Sequence, residues 1–474
     1  MRNAFRELRA DPRQHVPSVL VVTIASLLGV VIIDGVAILS AWLKQSDAVS
    51  TSGTALLMLA IVGVVFFAIA LFVSALVISN TFGIIVAGRS ERIALLRLVG
   101  ASSKRLRRSV SVEGAVVGAV GTALGAIVGL AIAVGTVALL RTVGDAPGLS
   151  VNLLGPWMLA PLASTGLVTW AAAYGGSRTI LTVSPMEATG QAREPSIEEG
   201  RAHRGRHVGS VLCAVLGTLL IVAGVVVGQV SPLGLLVALP GGMLSFLGLS
   251  LGSAWVMPPV QRLVGRSLGR GPGGRMAARN AARYPARTAR TTMGLVIGVT
   301  LIVMFATAAV NVTYAMGLAG AASGEPPEVT AELESVVADS VLFLSVLVAF
   351  SVVIAVVGVV NNLSLAVLQR TREIGLLRAV GLSRARVRGT IRAEAAQLTV
   401  AATVLGSVLG VLYGWAGSLS LLSAIRGVGF FPPVVPWAVL AGTVVVAAVV
   451  VLVASLVPAR RATRISPTTA LVAI

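Results

Sequence analysis

Side chains able to do covalent or metal chemistry are few and scattered. Histidines stand at positions 15, 203 and 207. His203 and His207 are four residues apart, a spacing that puts both on one helical face, but no third ligand lies near them. In their basic surroundings they read as a solvated linker. The single cysteine, Cys213, sits in an apolar run, so the chain can form neither an internal disulfide nor a thiolate cluster. The two lysines, Lys44 and Lys104, are followed by Gln45 and Arg105. The G-x-x-x-x-G-K-[ST] loop that cradles nucleotide phosphates is therefore absent. No Ser/His/Asp set or paired carboxylates stand out in any apolar run. The polypeptide reads as non-catalytic, with no cofactor or metal of its own.

What remains is charge in unusual places. Asp34 is the one acid deep in a long apolar run. A charge there is expensive, which makes it an intramembrane candidate for a role in transport or gating. Glu113 and Glu394 stand at the inner ends of two other runs, close to arginines, and are expected to form ion pairs there. The arginines themselves cluster in 88–108, GRSERIALLRLVGASSKRLRR, and 369–388, QRTREIGLLRAVGLSRARVR.

The elements that must hold these residues are membrane helices. Of the 474 residues, 56% are hydrophobic and 12% charged. A soluble domain carries about 25% charged residues. Crossing the hydrocarbon core takes about 20 apolar residues. Ten segments qualify, approximately 17–43, 54–87, 112–140, 154–175, 208–229, 233–257, 292–318, 338–368, 393–423 and 434–457. The first has no small-residue cleavage site and is read as a retained helix. With the N-terminus inside, 34 of the 37 basic residues fall in cytoplasmic segments, leaving Lys44, Arg141 and Arg426 outside. Both termini are then cytoplasmic. This bias accounts for the net charge of +19 without nucleic acid, because loop arginines meet anionic lipid head groups.

The chain also repeats itself. Ile93–Gly100, IALLRLVG, returns as Ile374–Gly381, IGLLRAVG, 281 residues later. At the same offset Asn80 meets Asn361, Arg89 meets Arg370 and Glu113 meets Glu394. Arg2-Asn3-Ala4 returns as Arg279-Asn280-Ala281, and Ser184-Pro185 as Ser466-Pro467. The expected fold is thus an all-α polytopic membrane protein with ten transmembrane helices. Two parallel four-helix repeats, 1–190 and 276–474, are joined by a linker and two-helix hairpin, 191–275. An even number of helices gives both repeats the same orientation.

Within each inner segment Ile93, Leu96 and Val99, or Ile374, Leu377 and Val380, recur at i, i+3, i+6, which predicts one apolar helical face. Gly100 and Gly381 suit a helix end, and Ser102 or Ser383 an N-cap for the next helix. One reading is an interfacial amphipathic helix lying on the bilayer; the other is a docking element, since two copies would offer two-fold-related docking surfaces to a symmetric dimer.

The pattern R-x-x-E-I-x-L-L-R-A-V-G, with the helix carrying Glu394, resembles the signature of FtsX/MacB/BceB-type ABC transporter permeases. The likeness covers about 50–190 and 335–474. It implies that each segment is a coupling helix seated on a cytoplasmic ABC ATPase homodimer, where ATP and Mg are held. The residues so implicated are Arg89, Glu91, Ile93, Leu96, Arg97 and Gly100. In the second copy they are Arg370, Arg372, Glu373, Ile374, Leu377, Arg378 and Gly381. The first copy departs from the pattern in placing its acid at Glu91, with Arg92 where Glu373 would match. The long second and eighth spans correspond to the stalk helices of that family. The large extracytoplasmic domains of some members are absent, since the loops at about 44–53 and 319–337 are short. That leaves room for an extracytoplasmic accessory protein. The resemblance implies export or extraction of an amphiphilic substrate from a bacterial inner membrane, and the arginine-for-lysine skew fits a GC-rich genome. The alternatives are a signalling membrane protein acting on an extracellular partner and an ion-driven secondary transporter.

Overall fold

The computed structural model describes residues 12–43, 53–142, 148–181, 204–268, 285–323, 383–446 and 448–449, and every regular element among them is helical. The chain divides into two compact units, Met1–Arg193 and Glu194–Ile474. Six described helices are long and apolar enough to cross a membrane: Ser18–Ile38, Ser103–Thr142, His207–Gly228, Gly234–Leu251, Thr292–Ala322 and Ala395–Leu422. The protein is an α-helical membrane protein. Of the ten expected spans, 338–368 lies outside the described residues, and 434–457 is described through the helix Trp437–Val446.

In the first unit, α1 (Pro12–Leu43), α2 (Gly53–Gly88), α4 (Ser103–Thr142) and α5 (Leu159–Gly176) form the bundle, and α3 (Ser90–Leu98) is a short helix between α2 and α4. Lipid gives helices no hydrophobic drive to associate, so close packing must supply the attraction. A seam of small residues does so. Cβ atoms added at Gly121, Gly125 and Gly129 of α4 would lie 2.7, 2.7 and 2.9 Å from the Cβ atoms of Val22, Ser26 and Val30. The numbers rise together by four, so α1 and α4 run parallel. Ser26 Oγ donates to the Thr122 carbonyl at 3.1 Å across the seam. α5 packs antiparallel on α4, with Gly114 against Ala173 and Gly118 against Thr169. Ile38, Ala133, Val137 and Leu149 close the end of the bundle away from α3. There Arg141 Nε donates to the Leu149 carbonyl at 2.8 Å.

In the second unit, α6 (Arg204–Gly228) and α7 (Gly234–Leu251) form a tight hairpin about residues 229–233. Gly217, Gly224, Gly241 and Gly248 let their backbones touch. The expected span 233–257 is broken in the structure. α7 stops at Leu251, and after Gly252 a separate helix α8 (Ser253–Leu268) begins. Its buried edge is Met257, Gln261 and Val264, while Trp255 and Leu263 face outward. That spacing is amphipathic, so α8 docks sideways on its own unit rather than prolonging α7. Gln261 Nε2 donates to Thr292 Oγ1 of α9 (Pro285–Ser323) at 3.3 Å, and Gln397 Nε2 of α10 (Arg384–Leu422) donates to the Gln261 carbonyl at 2.9 Å. His207 is not a solvated linker residue: it is helical and half-buried, its ring 3.9 Å from that of Trp255.

α9 and α10 carry the same seam as α1 and α4. Cβ atoms added at Gly406, Gly410 and Gly414 would lie 2.8, 2.7 and 2.8 Å from the Cβ atoms of Val299, Val303 and Thr307. This pair is also parallel and stepped by four. Trp415 Nε1 donates to the Phe431 carbonyl at 2.8 Å and fastens the segment after α10.

Candidate functional site

The segment 88–108 of the first unit is built from continuous backbone. α2 passes into α3 through Arg89 alone. The Arg89 N–H donates to the Val86 carbonyl at 3.1 Å, and its own carbonyl accepts from Ile93 at 2.9 Å. At the far end, Val99, Gly100 and Ala101 donate to Leu95, Arg97 and Leu96 at 3.1, 3.0 and 2.9 Å. Gly100 sits at φ +98°, a left-handed conformation that a β-carbon would strain, and this ends the helix. Ser102 Oγ accepts the Arg105 N–H at 3.4 Å and caps α4.

An ion pair ties this segment to the helix bundle. Arg89 Nη1 donates to both carboxylate oxygens of Glu113 on α4, at 3.2 and 3.3 Å. The Glu113 side chain is 4% exposed and the Arg89 side chain 27%. A carboxylate so enclosed needs charged or hydrogen-bonding partners, and Arg89 at the α2–α3 junction is one of them.

The two faces of α3 divide differently from the expected pattern. Ile93 and Ala94 are buried with Val86 and Ile180, flanked by Leu106 and Val110. Leu95, Leu96, Leu98 and Val99 are exposed, Val99 at 88%, with Arg92 and Gly100 beside them. Arg97 lies at the border between the faces. The sequence predicts Ile93, Leu96 and Val99 together, but at about 100° per residue Ile93 and Val99 are ~120° apart around the axis. A nine-residue helix docked by its Ile93–Ala94 edge must therefore turn Leu96 and Val99 away from the bundle. The result is an open surface of four large apolar side chains with an arginine, at the junction of α2, α3 and α4.

The remaining candidates are placed as follows. Glu91 lies in α3, and its side chain is outside the described residues. So is the second copy, Arg370, Arg372, Glu373, Ile374, Leu377, Arg378 and Gly381. Glu394 lies on α10 with its side chain likewise outside them. Asp34 is fully buried in α1, and neither carboxylate oxygen has a hydrogen-bond partner among the described residues. It stands one turn beyond Val30 on the glycine seam. One turn beyond Thr307 on the matching seam is Asn311, also fully buried, whose Oδ1 accepts the Val434 N–H at 3.0 Å. The two positions are 277 residues apart, the offset between Arg2-Asn3-Ala4 and Arg279-Asn280-Ala281. That offset was the available signal that Asp34 and Asn311 correspond.

A family model described as FtsX-like permease C-terminal matches the chain twice, over residues 64–182 and 345–467, together about half of its length. The chain belongs to the FtsX-like permease family. The first match contains α3, Arg89, Glu113 and α5, and the second contains residues 370–381 and Glu394. Among relatives of this FtsX-like permease, the ABC transporter permease YknZ of Bacillus subtilis is 28% identical over 144 residues, covering 30% of this chain and 34% of YknZ. The macrolide export ATP-binding/permease protein MacB of Sodalis glossinidius is 36% identical over 141 residues, 29% of this chain and 20% of that protein. The lipoprotein-releasing system transmembrane protein LolC of Haemophilus influenzae is 28% identical over 129 residues, 27% of this chain and 33% of that protein. The permease thus spans at most 34% of the length of these relatives.

Proposed function

We propose that this chain is the transmembrane subunit of an ABC transporter, driven by a separate cytoplasmic ATPase dimer in which ATP and Mg are bound. The observation that carries this reading is the α3 surface. Leu95, Leu96, Leu98 and Val99 are open, while the opposite edge and the Arg89–Glu113 pair fix the helix to α2 and α4. An apolar knob ringed by arginine suits a protein groove better than water. Relatives named as ABC transporter permeases support the same assignment.

In this reading the chain has ten transmembrane helices in two parallel repeats, 1–190 and 276–474, around the linker hairpin 191–275. The twofold family match and the recurrent glycine seam support the duplication. Residues 370–381 form the second coupling helix. Closure of the ATPase dimer draws the two coupling helices together, and the long helices that follow convey the movement outward. α2, with 36 residues, reaches about 54 Å, more than a bilayer core needs. The cargo is an amphiphile such as a lipid, peptide or hydrophobic drug, moved by mechanotransmission.

Co-purification with the ATPase, followed by vanadate-sensitive hydrolysis, tests the reading. Leu96→Asp in the first copy with Leu377→Asp in the second should abolish capture of the ATPase while the permease still elutes as a folded species. Full capture by that double variant would remove the coupling assignment.

A further inference from the structure

The inner end of the first unit carries a second arrangement on a different face. α4 opens with Lys104, Arg105, Arg107 and Arg108, and no acid lies in its first turn. A helix N-terminus is its positive end, so cations gathered there call for an anion. The one carboxylate of α4, Glu113, is already engaged by Arg89.

Arg107 is held in place. Its guanidinium carbon lies 4.2 Å from the centroid of the Tyr174 ring, and Nη2 donates to the Tyr174 carbonyl at 3.4 Å. Its Nε has no hydrogen-bond partner among the described residues. Tyr174 stacks in turn on Trp170, centroids 6.5 Å apart and planes within 20°. Four residues after Tyr174 comes Arg178, exposed in the 3-10 turn Ser177–Leu181 that ends α5. Leu167, Trp170 and Tyr174 are exposed and, with Arg178, recur at three- and four-residue steps, so they line one face. Along that face the order is aliphatic, then two amphipathic rings, then guanidinium. A membrane leaflet has the same order of depth: acyl chain, interface, phosphate.

We propose that this face is a binding site for one anionic phospholipid of the cytoplasmic leaflet. The stacked Arg107 and the exposed Arg178 hold the phosphate, and the acyl chains lie along Tyr174, Trp170 and Leu167. A guanidinium fixed over a ring presents its remaining N–H groups to phosphate with little further ordering, which separates this site from general attraction to a charged surface. The surface is distinct from the open face of α3 and does not depend on ATPase docking.

The test uses the full purified chain. It is stripped of lipid in detergent, mixed with vesicles of equal phosphatidylglycerol and phosphatidylcholine, and repurified. Retained lipid is then measured by mass spectrometry. The wild type should be enriched in phosphatidylglycerol. Arg107→Gln and Arg178→Gln should each lower the enrichment roughly fivefold, the worth of one cation at an anionic surface. Tyr174→Leu keeps every charge and removes the platform, and it should lower the enrichment as well. Arg426→Gln, which removes an exposed cation elsewhere, should leave it unchanged. Enrichment at the wild-type level in Arg107→Gln and Tyr174→Leu, with normal elution, would overturn the site. Release of the lipid by millimolar inorganic phosphate would also overturn it, by showing that the site takes free phosphate. Leu96→Asp should keep full lipid selectivity even where it loses the ATPase, so failure of the coupling assignment and failure of this one read out separately.

Discussion

The Arg89–Glu113 pair makes a prediction with a built-in asymmetry. Glu113 is 4% exposed and Arg89 27%. Arg89→Gln takes from a nearly enclosed carboxylate a cation that donates to both of its oxygens, which costs about 3 kcal/mol, the lower end for breaking a buried pair. Glu113→Gln leaves a guanidinium that water can still reach, and that costs about 1 kcal/mol or less. The double variant places two neutral amides together and should recover part of the first loss, giving a coupling of about 1–2 kcal/mol. For a unit of this size 1 kcal/mol moves the unfolding midpoint by roughly 2–4 °C. Thermal unfolding in detergent should therefore show Arg89→Gln lower by about 6–12 °C, Glu113→Gln by a few degrees, and the double variant in between. Equal losses in the two single variants, or a strictly additive double variant, would refute the claim that an enclosed carboxylate holds the α2–α3 junction in place.

Other predictions concern packing and the open face of α3. Gly125→Ala forces a Cβ against Ser26 Cβ and the Leu27 nitrogen at 2.7 and 2.8 Å and should destabilise by about 1–3 kcal/mol. Gly135→Ala on the same helix meets nothing within 4 Å and should be neutral or stabilising by up to about 1 kcal/mol, read by the same unfolding assay. Val99→Asp should leave the elution profile intact and weaken ATPase capture at least tenfold, whereas Ala94→Asp, at a fully buried site, should lose the folded peak itself. Asp34→Asn places at the first seam the residue that the second seam carries as Asn311, and it should raise the midpoint by removing a buried acid with no hydrogen-bond partner among the described residues. A lowered midpoint would show that Asp34 holds a structural bond. Asn311→Leu orphans the Val434 N–H and should cost about 1–3 kcal/mol.

Membrane class was legible because it rests on a quantity additive along the chain, apolar length. The helix between Arg89 and Gly100 was legible because a charged boundary, an apolar repeat and a terminal glycine agree there. Which way that helix faces was not legible. Its apolar residues encircle most of the axis, and the choice of Ile93–Ala94 as the docked edge is made by Val86 and Ile180, one from α2 and one far along the chain. The break at Gly252 was hidden for a related reason, because Ser253–Met257 is apolar enough to read as more of α7. Its amphipathic character emerges only when Met257, Gln261 and Val264 are taken together. Arg107 over Tyr174 joins positions 67 apart with no motif between them, so no local signal announces it.

The seams explain how a push on α3 would travel in the proposed transporter. α3 is joined to α2 by a single residue, and that residue is also the ion-pair partner of α4. α4 in turn meets α1 along Gly121, Gly125 and Gly129, where the neighbouring atoms include backbone as well as Cβ. Such a contact has no soft side chain to absorb a displacement, so α1 and α4 should move as one body. α2 lies outside that seam and meets the pair through larger groups, such as Phe67 at Gly29. A large side chain can rotate or slide where a glycine seam cannot. The first unit is thus divided into a locked pair and a helix able to shift against it, both reached from Arg89. A disulfide placed across α1 and α4 should leave ATPase stimulation intact, while one placed across α1 and α2 near Gly29 and Phe67 should suppress it. Suppression by both, or by neither, would mean that the helices do not divide along the glycine seam.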